Sequence, residues 1–240
     1  MVYQSHLPPG TDKRQRFRSN RALPVGWSEE MAYIVGLTAT DGCLYTGFRK
    51  INFKSADRDL VETYLRLLGR TNSVKTKPTR TGGVVHFCEF GDAELYRWFQ
   101  SIGLTPAKSL ILGAIDVPDA VLAPCLRGLF DGDGHISNFV HHPTLKTYPN
   151  YRYERLWTCF NSASRSHLAW IQERVDSLLG LTGRIEPLPR REGRHDFFRL
   201  KYGNLESPSL LRAMYPSPDV PMLERKWRIW EDYRARHRLW

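Results

Sequence analysis

The chain has 240 residues, and 41% of them are hydrophobic, which is enough to bury a sizeable core in one two-lobed domain or in two small domains. Lysine and arginine number 35 against 25 acidic residues, and the resulting net charge of +10 favours a polyanionic partner. No apolar run approaches the roughly 20 residues that span a bilayer, so nucleic acid fits this charge better than a membrane does.

The cysteines and the N-terminus predict the cellular compartment. The four cysteines have no close-pair spacing, which argues against a zinc site and a disulfide framework. No apolar segment lies near the basic N-terminus, so we expect no secretory signal. Both observations predict an intracellular protein, in a bacterial or archaeal cytoplasm or in an organelle.

The first 25 residues are basic and show no hydrophobic periodicity. Their cations are Lys13, Arg14, Arg16, Arg18 and Arg21. This composition fits a loose arm, which is either a solvated tail or a segment that follows DNA phosphates. We therefore assign residues 1–25 to an N-terminal arm.

Two predicted helices share an unusual ending. Residues 32–42 and 125–134 are apolar, with a glycine in the middle and an Asp-Gly pair at the end. The two acids, Asp41 and Asp133, are 133 − 41 = 92 positions apart. A helix C-terminus carries partial negative charge, so such a carboxylate costs roughly 0.3–1 kcal/mol unless a cation lies beside it. We expect Gly134 to end its helix in a left-handed turn.

The glycines in the middle of these helices, Gly36 and Gly128, indicate how the helices meet. With no side chain at either position, the two backbones can approach closely. Packing through these glycines would bring the carboxylates of Asp41 and Asp133 to one point. Carboxylate oxygens are ligands for hard cations, so the sequence predicts a divalent-cation site there.

The pattern of periodicities occurs twice along the chain. Residues 29–103 predict a helix, two strands, a helix, two strands and a helix, and residues 120–214 repeat this order. Short matches accompany the repeat, with residues 53–58 similar to 160–165 and residues 90–92 similar to 202–204. A proline followed by a lysine, Lys108 or Lys226, closes each repeat. We interpret the chain as an internal duplication, followed by an extra basic C-terminal helix.

Strand alternation predicts a polar face on each sheet. Apolar residues such as Ile51 and Phe53 would pack on helices, which leaves the alternate residues outside. A concave sheet lined with cations could enter a major groove and contact base edges. For a single basic residue, a merely solvated position is an equally good reading. The candidate DNA-contacting residues are Arg49, Asn52, Lys54, Lys75, Lys77, Arg80, His135, Ser137, Arg184, Arg190 and Arg199.

The two helix endings also carry a family resemblance. Residues 126–134 resemble the LAGLIDADG signature closely, and residues 34–42 resemble it more loosely, with Ala39 where the motif has its first acid. The chain is similar to monomeric, two-motif LAGLIDADG homing endonucleases. The resemblance implies an α+β fold with two αββαββα units, in residues 26–116 and 117–240. In that fold two antiparallel four-stranded sheets form a DNA-binding saddle around the two motif helices.

The resemblance also implies an activity and a set of site residues. The activity is metal-dependent hydrolysis of both strands of a long, asymmetric DNA site in intron homing. Asp41 and Asp133 match the family's metal-binding, catalytic acids, and the carbonyls of Thr40 and Gly132 would help to hold two or more Mg²⁺ ions. Lys201 would lie near the scissile phosphate.

The resemblance leaves two other functions open. Glu89 occupies the position that corresponds to Lys201 in the first repeat, so the halves are expected to differ. An RNA-binding intron maturase and a non-cleaving DNA-binding regulator on the same fold are the alternatives. Retention of both acids favours cleavage over a silent regulator.

Overall fold

The computed structural model describes residues 23–79, 81–141, 147–148, 151–189 and 195–239. Most of the predicted arm, together with Arg80 and Arg190, lies outside these residues. The helices are α1 (Glu29–Asp41), α2 (Arg58–Leu67), α3 (Ala93–Ser101), α4 (Leu122–Asp133), α5 (Arg165–Leu179), α6 (Ser207–Met214) and α7 (Glu224–His237). The strands are β1 (Gly42–Tyr45), β2 (Lys50–Ser55), β3 (Lys75–Pro78), β4 (Val84–Gly91), β5 (His135–His141), β6 (Tyr153–Ser162), β7 (Arg184–Pro187) and β8 (Phe198–Tyr202).

The two halves of the chain form sheets of the same topology. Sheet 1 has the strand order β1-β2-β4-β3 and sheet 2 the order β5-β6-β8-β7, and all their pairings are antiparallel. In sheet 1, Phe53 lies two residues after the partner of Phe90, and in sheet 2 Phe160 lies two residues after the partner of Tyr202. This common register aligns the repeats as the sequence matches predicted, and the predicted α+β fold with two four-stranded antiparallel sheets is confirmed.

The motif helices α1 and α4 pack against each other at the centre of the molecule. A Cβ added to Gly36 would lie closer than 3.0 Å to the backbone of Cys125 and Leu129, and one added to Gly128 would do the same at Tyr33. The contact continues toward the helix ends, where a Cβ on Gly132 would overlap the side chain of Thr40. The predicted helix contact through Gly36 and Gly128 is therefore present, and it is too close for any side chain.

The ends of the motif helices differ from the prediction in one respect. Gly134 has φ −75° and ψ 165°, and Gly42 has φ −83° and ψ 153°, so both are extended rather than left-handed. Glycine is needed there for space, because a Cβ on Gly134 would lie closer than 3.0 Å to Phe130 and one on Gly42 closer than 3.0 Å to Thr38. Each chain segment therefore passes directly from the motif helix into the first strand of its sheet.

Side-chain caps begin several of the other helices. Ser28 accepts a hydrogen bond from the amide of Met31 at the start of α1, as its sequence context predicts. Asp92 accepts one from Leu95 at the start of α3, and Ser164 accepts one from His167 at the start of α5. These caps fix the residue at which each of these helices begins.

The C-terminal helix α7 contacts both halves of the molecule. Trp227, Trp230 and Tyr233 are buried, which confirms their prediction as packing residues. Arg225 forms a bidentate ion pair with Asp57 at the start of α2, with nitrogen–oxygen distances of 3.0 to 3.1 Å. The next residue, Lys226, is buried at the end of α4. The helix therefore joins the first half to the motif helix of the second.

Candidate active site and nucleic-acid surface

The site is centred on the paired ends of α1 and α4. Asp41 is the last residue of α1 and Asp133 the last residue of α4, and the glycine contact brings the two helices side by side. Burial and the negative charge of Asp133 raise the pKa of Asp41 to about 7. Burial also raises the pKa of Asp133. The predicted convergence of the two acids is present, since the charge of Asp133 acts on Asp41.

Two buried lysines lie at the same helix ends. The Lys108 ammonium donates a hydrogen bond to the carbonyl of Gly42, directly after Asp41. The Lys226 ammonium donates to the carbonyl of Gly134, directly after Asp133, at 2.7 Å. Lys108 is 5% exposed and Lys226 is 3% exposed, and burial lowers the pKa of each to about 8. These cations supply the positive charge that a carboxylate at a helix C-terminus requires.

A third lysine makes the site asymmetric. Lys54 on β2 is exposed, and its positive charge lowers the pKa of both motif acids. The equivalent residue on β6 is Asn161, whose amide donates to the backbone carbonyl of Asp133 at 2.9 Å. The first half therefore contributes two lysines to the site, and the second half contributes one.

Lys201 lies on the outer face of sheet 2, against an aromatic ring. Its ammonium lies over the Trp157 ring, 4.4 Å from the ring centroid. The cations that act on the Asp133 carboxylate are Lys226, Lys108 and Lys54. The strand registers do pair Glu89 with Lys201 as equivalent positions. The catalytic role of Lys201 therefore stays a prediction, and Lys108 and Lys226 are two further lysines at the ends of the motif helices.

The chemistry of the site fits a hard divalent cation. Two carboxylates with raised pKa values gain stability when a cation binds between or beside them, and oxygen is the donor that Mg²⁺ and Ca²⁺ prefer. Among the described residues, no cluster of three or more His, Cys, Asp and Glu side chains forms a metal site. A bound cation would therefore take its other ligands from backbone carbonyls, water and phosphate. Of the two predicted carbonyl ligands, that of Gly132 lies 3.4 Å from the Lys226 ammonium, and that of Thr40 belongs to the end of α1.

The other acid of the second motif has a structural role. Asp131 is 1% exposed and accepts hydrogen bonds from the Tyr33 hydroxyl at 2.8 Å and the Leu223 amide at 2.9 Å. The Tyr215 hydroxyl donates a third hydrogen bond. Because Asp131 connects α1, α4 and the segment before α7, it holds the site together without facing it. Its counterpart in the first motif is Ala39, which has no such network.

Most of the described candidate DNA-contacting residues lie on the outer sheet faces, away from the helices. Arg49, Lys54, Lys75, Lys77 and Arg184 are exposed. His135 is also exposed and lies 2.6 Å from the Ser137 hydroxyl, while Arg199 is half-buried and pairs with Glu186 at 3.6 Å.

Asn52 departs from the predicted arrangement. It shares the outer face with Lys54, but it is 8% exposed, and its amide donates to the carbonyl of Cys88 at 3.0 Å. One of its two amide N–H groups is therefore used within the sheet, and the base contact by Asn52 stays a prediction.

Comparison with known proteins assigns the fold. Residues 28–103 match the family model described as a LAGLIDADG-like domain. The homing endonuclease I-WcaI bound to its DNA recognition sequence has a TM-score of 0.58 at 10% identity, over 90% of this chain and 92% of that one. I-DmoI in complex with DNA and Ca has a TM-score of 0.52 at 14% identity, over 84% and 96%. The N-terminal LAGLIDADG domain of WhiA has a TM-score of 0.51 at 18% identity, over 87% and 90%.

One curated relative matches by sequence. It is a subunit of the A-type ATP synthase of Methanopyrus kandleri, 26% identical over 136 residues, which are 57% of this chain and 13% of that protein. The chain thus matches only a small part of that relative. In the described part of the chain, no helix has both the length and the apolar character of a membrane span.

The fold of this chain is the fold of the LAGLIDADG proteins. The predicted resemblance is confirmed: the chain contains a LAGLIDADG-like domain in residues 28–103, and it has the fold of the LAGLIDADG homing endonucleases over most of its length. Because their identities are low, the matches to solved structures show the fold alone. The chemistry is argued from the residues of this chain.

The sequence contains a signal for the two buried lysines, although it lies outside the motifs. Lys108 and Lys226 each follow a proline at the close of a repeat, and the structure places both against the glycine after a motif acid. Lys108 and Lys226 correspond because each lies just after the last helix of its repeat, and not because of their spacing from the motif acids.

Proposed function

We propose that this protein is a site-specific DNA endonuclease that cuts both strands of its target. The observation that carries the proposal is the pairing of Asp41 and Asp133 at adjoining helix ends, with a buried lysine beside each. This pair lies between two sheets whose outer faces carry exposed cations. The net charge of +10 supports a polyanionic partner.

Each acid would act on one strand. Asp41 and Asp133 would hold divalent cations, with Mg²⁺ as the expected ion, and a bound cation polarises a phosphate and lowers the pKa of a bound water. The positions of the two carboxylates would determine where the cations bind. Lys108 and Lys226 orient their ammonium groups by hydrogen bonds to helix-end carbonyls, so each can stabilise charge that develops on a nearby phosphate oxygen.

A second candidate is DNA binding without cleavage. The similarity to WhiA, which is not named as an endonuclease, favours keeping this candidate. DNA binding without cleavage requires the same cationic sheet faces, but it gives Asp41 and Asp133 no chemical role. Two adjacent carboxylates at helix C-termini repel each other and lower stability. The presence of both acids therefore supports cleavage over binding alone.

The test compares two single-acid variants with the native protein. A target is first selected from randomised duplex DNA by binding in Ca²⁺, and cleavage is then measured in Mg²⁺. Asp41→Asn and Asp133→Asn should each lower double-strand cleavage by roughly 10³-fold or more, because each removes a cation ligand, and should leave DNA affinity within a few-fold. Asp116→Asn, at an exposed acid in the segment between α3 and α4, serves as the control.

A stability measurement accompanies the cleavage assay. The Asp41 carboxyl has a pKa raised from 3.8 to about 7, so the folded state holds its proton more tightly than the unfolded state does. In EDTA at neutral pH, Asp41→Asn should therefore raise the free energy of unfolding by roughly 1–3 kcal/mol, after discounting for partial exposure. That gain should fade as the pH falls toward 4.

Double-strand cutting by either single variant would contradict the proposal, and binding without cutting by the native protein would support the second candidate.

A further inference from the structure

The outer faces of the two sheets carry different chemistry. The outer face of sheet 1 is rich in lysine, and the outer face of sheet 2 combines aromatic rings with cations. Residues that share the outer face of sheet 1 are Cys43, Tyr45, Lys50, Asn52, Lys54, Lys75, Lys77, Val85, Phe87 and Glu89. Residues that share the outer face of sheet 2 include Phe139, His141, Tyr153, Arg155, Trp157 and Lys201, which we name the aromatic–cation row.

Ring contacts order the aromatic–cation row. The Phe139 and Trp157 rings meet edge to face, with centroids 5.0 Å apart and an interplanar angle of 85°. The His141 and Tyr153 rings meet similarly at 5.2 Å, and the Phe139 and His141 rings are 6.4 Å apart. Because each ring braces the next, the row presents a preformed apolar surface, and Phe139 is 36% exposed within it.

Cations lie directly on the rings of this row. The Arg155 guanidinium is 4.6 Å from the Tyr153 ring centroid and 5.6 Å from the Trp157 centroid. The Lys201 ammonium is 4.4 Å from the Trp157 centroid. The positive charges of Arg155 and Lys201 therefore lie directly beside the apolar surface of the rings. This arrangement complements a DNA groove that is lined by phosphates. A base that stacks on a ring needs a free ring face, and these cations occupy faces of Tyr153 and Trp157.

Among its described residues, the outer face of sheet 1 has mainly lysine donors and a single cation–ring contact, in which the Lys77 ammonium lies 5.2 Å from the Phe87 ring centroid. Lys54, Lys75 and Lys77 are exposed, and Lys50 pairs with Glu89 at 3.1 Å at the edge of this group. In the major groove a lysine donates to the O6 and N7 acceptors of guanine, whereas apolar side chains contact the C5-methyl group of thymine. The two sheet faces therefore match different base edges.

We propose that the two sheets read the two halves of one duplex target by different chemistry, with the lysine face of sheet 1 contacting guanine acceptors and the aromatic–cation row of sheet 2 contacting thymine methyl groups. This inference rests on the proposed function, because it needs a duplex bound across both sheets. It goes beyond that function by assigning base preferences to each half of the target.

The experiment uses base analogues that change single atoms in a duplex selected with the full chain in Ca²⁺. Deoxyuridine removes only the methyl group of thymine, and 7-deazaguanine removes only the N7 acceptor of guanine. Deoxyuridine in one half-site should weaken binding about fourfold for each methyl group that the row buries. 7-Deazaguanine in the opposite half-site should weaken binding about fivefold or more for each lysine contact.

Two variants assign each half-site to a sheet. Phe139→Ala should abolish the response to deoxyuridine and keep the response to 7-deazaguanine, and Lys75→Ala should do the reverse. Both side chains are exposed, so neither change should prevent folding, which circular dichroism checks. Leu178→Ala is the matched control, because Leu178 is an exposed apolar residue on α5, on the helix side of sheet 2.

Three results would overturn the inference in different ways. Equal responses of both half-sites to both analogues, or no response, would show that the sheets do not divide base recognition as proposed. Tighter binding to single-stranded than to duplex DNA would instead make the row a stacking surface for unpaired bases. Failure to bind any duplex would overturn the proposed function as well. Failure of the base-preference inference alone would leave duplex binding intact, so the two outcomes can be distinguished.

Discussion

The two halves of the site place the same acid on the same helix end but surround it differently. The charges of Lys226, Lys54 and Lys108 act on both acids. The first half supplies Lys108 and Lys54, and the residue at position 39 is alanine. Asp133 has Lys226 beside it, with Asn161 on the strand. The duplicated backbone therefore fixes where the acids and the capping lysines lie, while the strand residues around them have diverged.

The two buried lysines at the helix ends, Lys108 and Lys226, also differ in their surroundings. Lys108 donates to the carbonyl of Gly42. Lys226 lies within hydrogen-bond distance of several carbonyls, those of Phe130, Asp131, Gly132 and Gly134, and the Asp131 carboxylate raises its pKa against the effect of burial. Equivalent positions can therefore carry unequal structural roles, and the second half depends more on its lysine.

The largest expected effect concerns the contact that the halves share. Gly36→Ala or Gly128→Ala should lower the free energy of unfolding by more than about 4 kcal/mol or prevent folding, because the added methyl group meets backbone atoms that cannot move aside. Gly113→Ala is the control, since nothing lies within 4 Å of its added Cβ. Urea denaturation measures the difference. Similar stabilities for all three variants would mean that α1 and α4 are not held as closely as described.

The next effect separates the two lysines. Lys226→Met should lower the free energy of unfolding by roughly 3–5 kcal/mol, because it leaves Asp131 and the end of α4 without their cation. Lys108→Met should cost roughly 1–3 kcal/mol, because it removes one charged hydrogen bond at Gly42. Denaturant titrations of both variants under the same conditions give the comparison. Equal losses would show that the halves are stabilised alike.

The smallest effect depends on pH and separates helices α2 and α5. His167 on α5 occupies the position of Leu60 on α2, and its ring nitrogen Nδ1 lies 2.8 Å from the Gly113 carbonyl. Burial lowers the pKa of His167 from 6.5 to about 4. The unfolded state therefore binds the proton more tightly, so this stability is complete above pH 6.5 and is lost as the pH falls toward 4, by up to about 3 kcal/mol.

Replacing His167 with the residue of the first half tests this assignment. His167→Leu should flatten the fall in stability between pH 6.5 and 4, even if its stability at pH 7 is lower through loss of the Gly113 hydrogen bond. The measurement is the slope of the unfolding free energy against pH for both proteins. An unchanged slope would place the acid sensitivity in other groups.

Much of the fold was predictable because its signals are local. Helix caps, strand alternation and the glycines of the motif helices depend on near neighbours in sequence or on one repeated pattern, and the prediction of close packing through Gly36 and Gly128 is confirmed. The convergence of Asp41 and Asp133 followed from that contact. The left-handed ending of α4 was wrong, because the space beside Phe130, rather than backbone conformation, requires glycine at 134.

The rest of the site depends on contacts between segments far apart in the chain. Lys226 reaches the end of α4 from 92 residues beyond Gly134, and no periodicity predicts such a contact. The contact of Lys201 with the Trp157 ring was not predictable either, because it depends on the neighbouring strand. Asn52 lies on the predicted face, but its burial is set by hydrogen bonding to Cys88 on β4.

The close backbone contact between α1 and α4 has a consequence for DNA geometry. With Gly36 and Gly128 in direct contact, the motif helices have no room to slide, and the two sheets that follow them keep a fixed separation. One base pair inserted into duplex DNA lengthens it by about 3.4 Å and rotates it by about 35°. If the sheets bind two halves of one duplex, the number of base pairs between those halves is as strictly specified as the bases themselves.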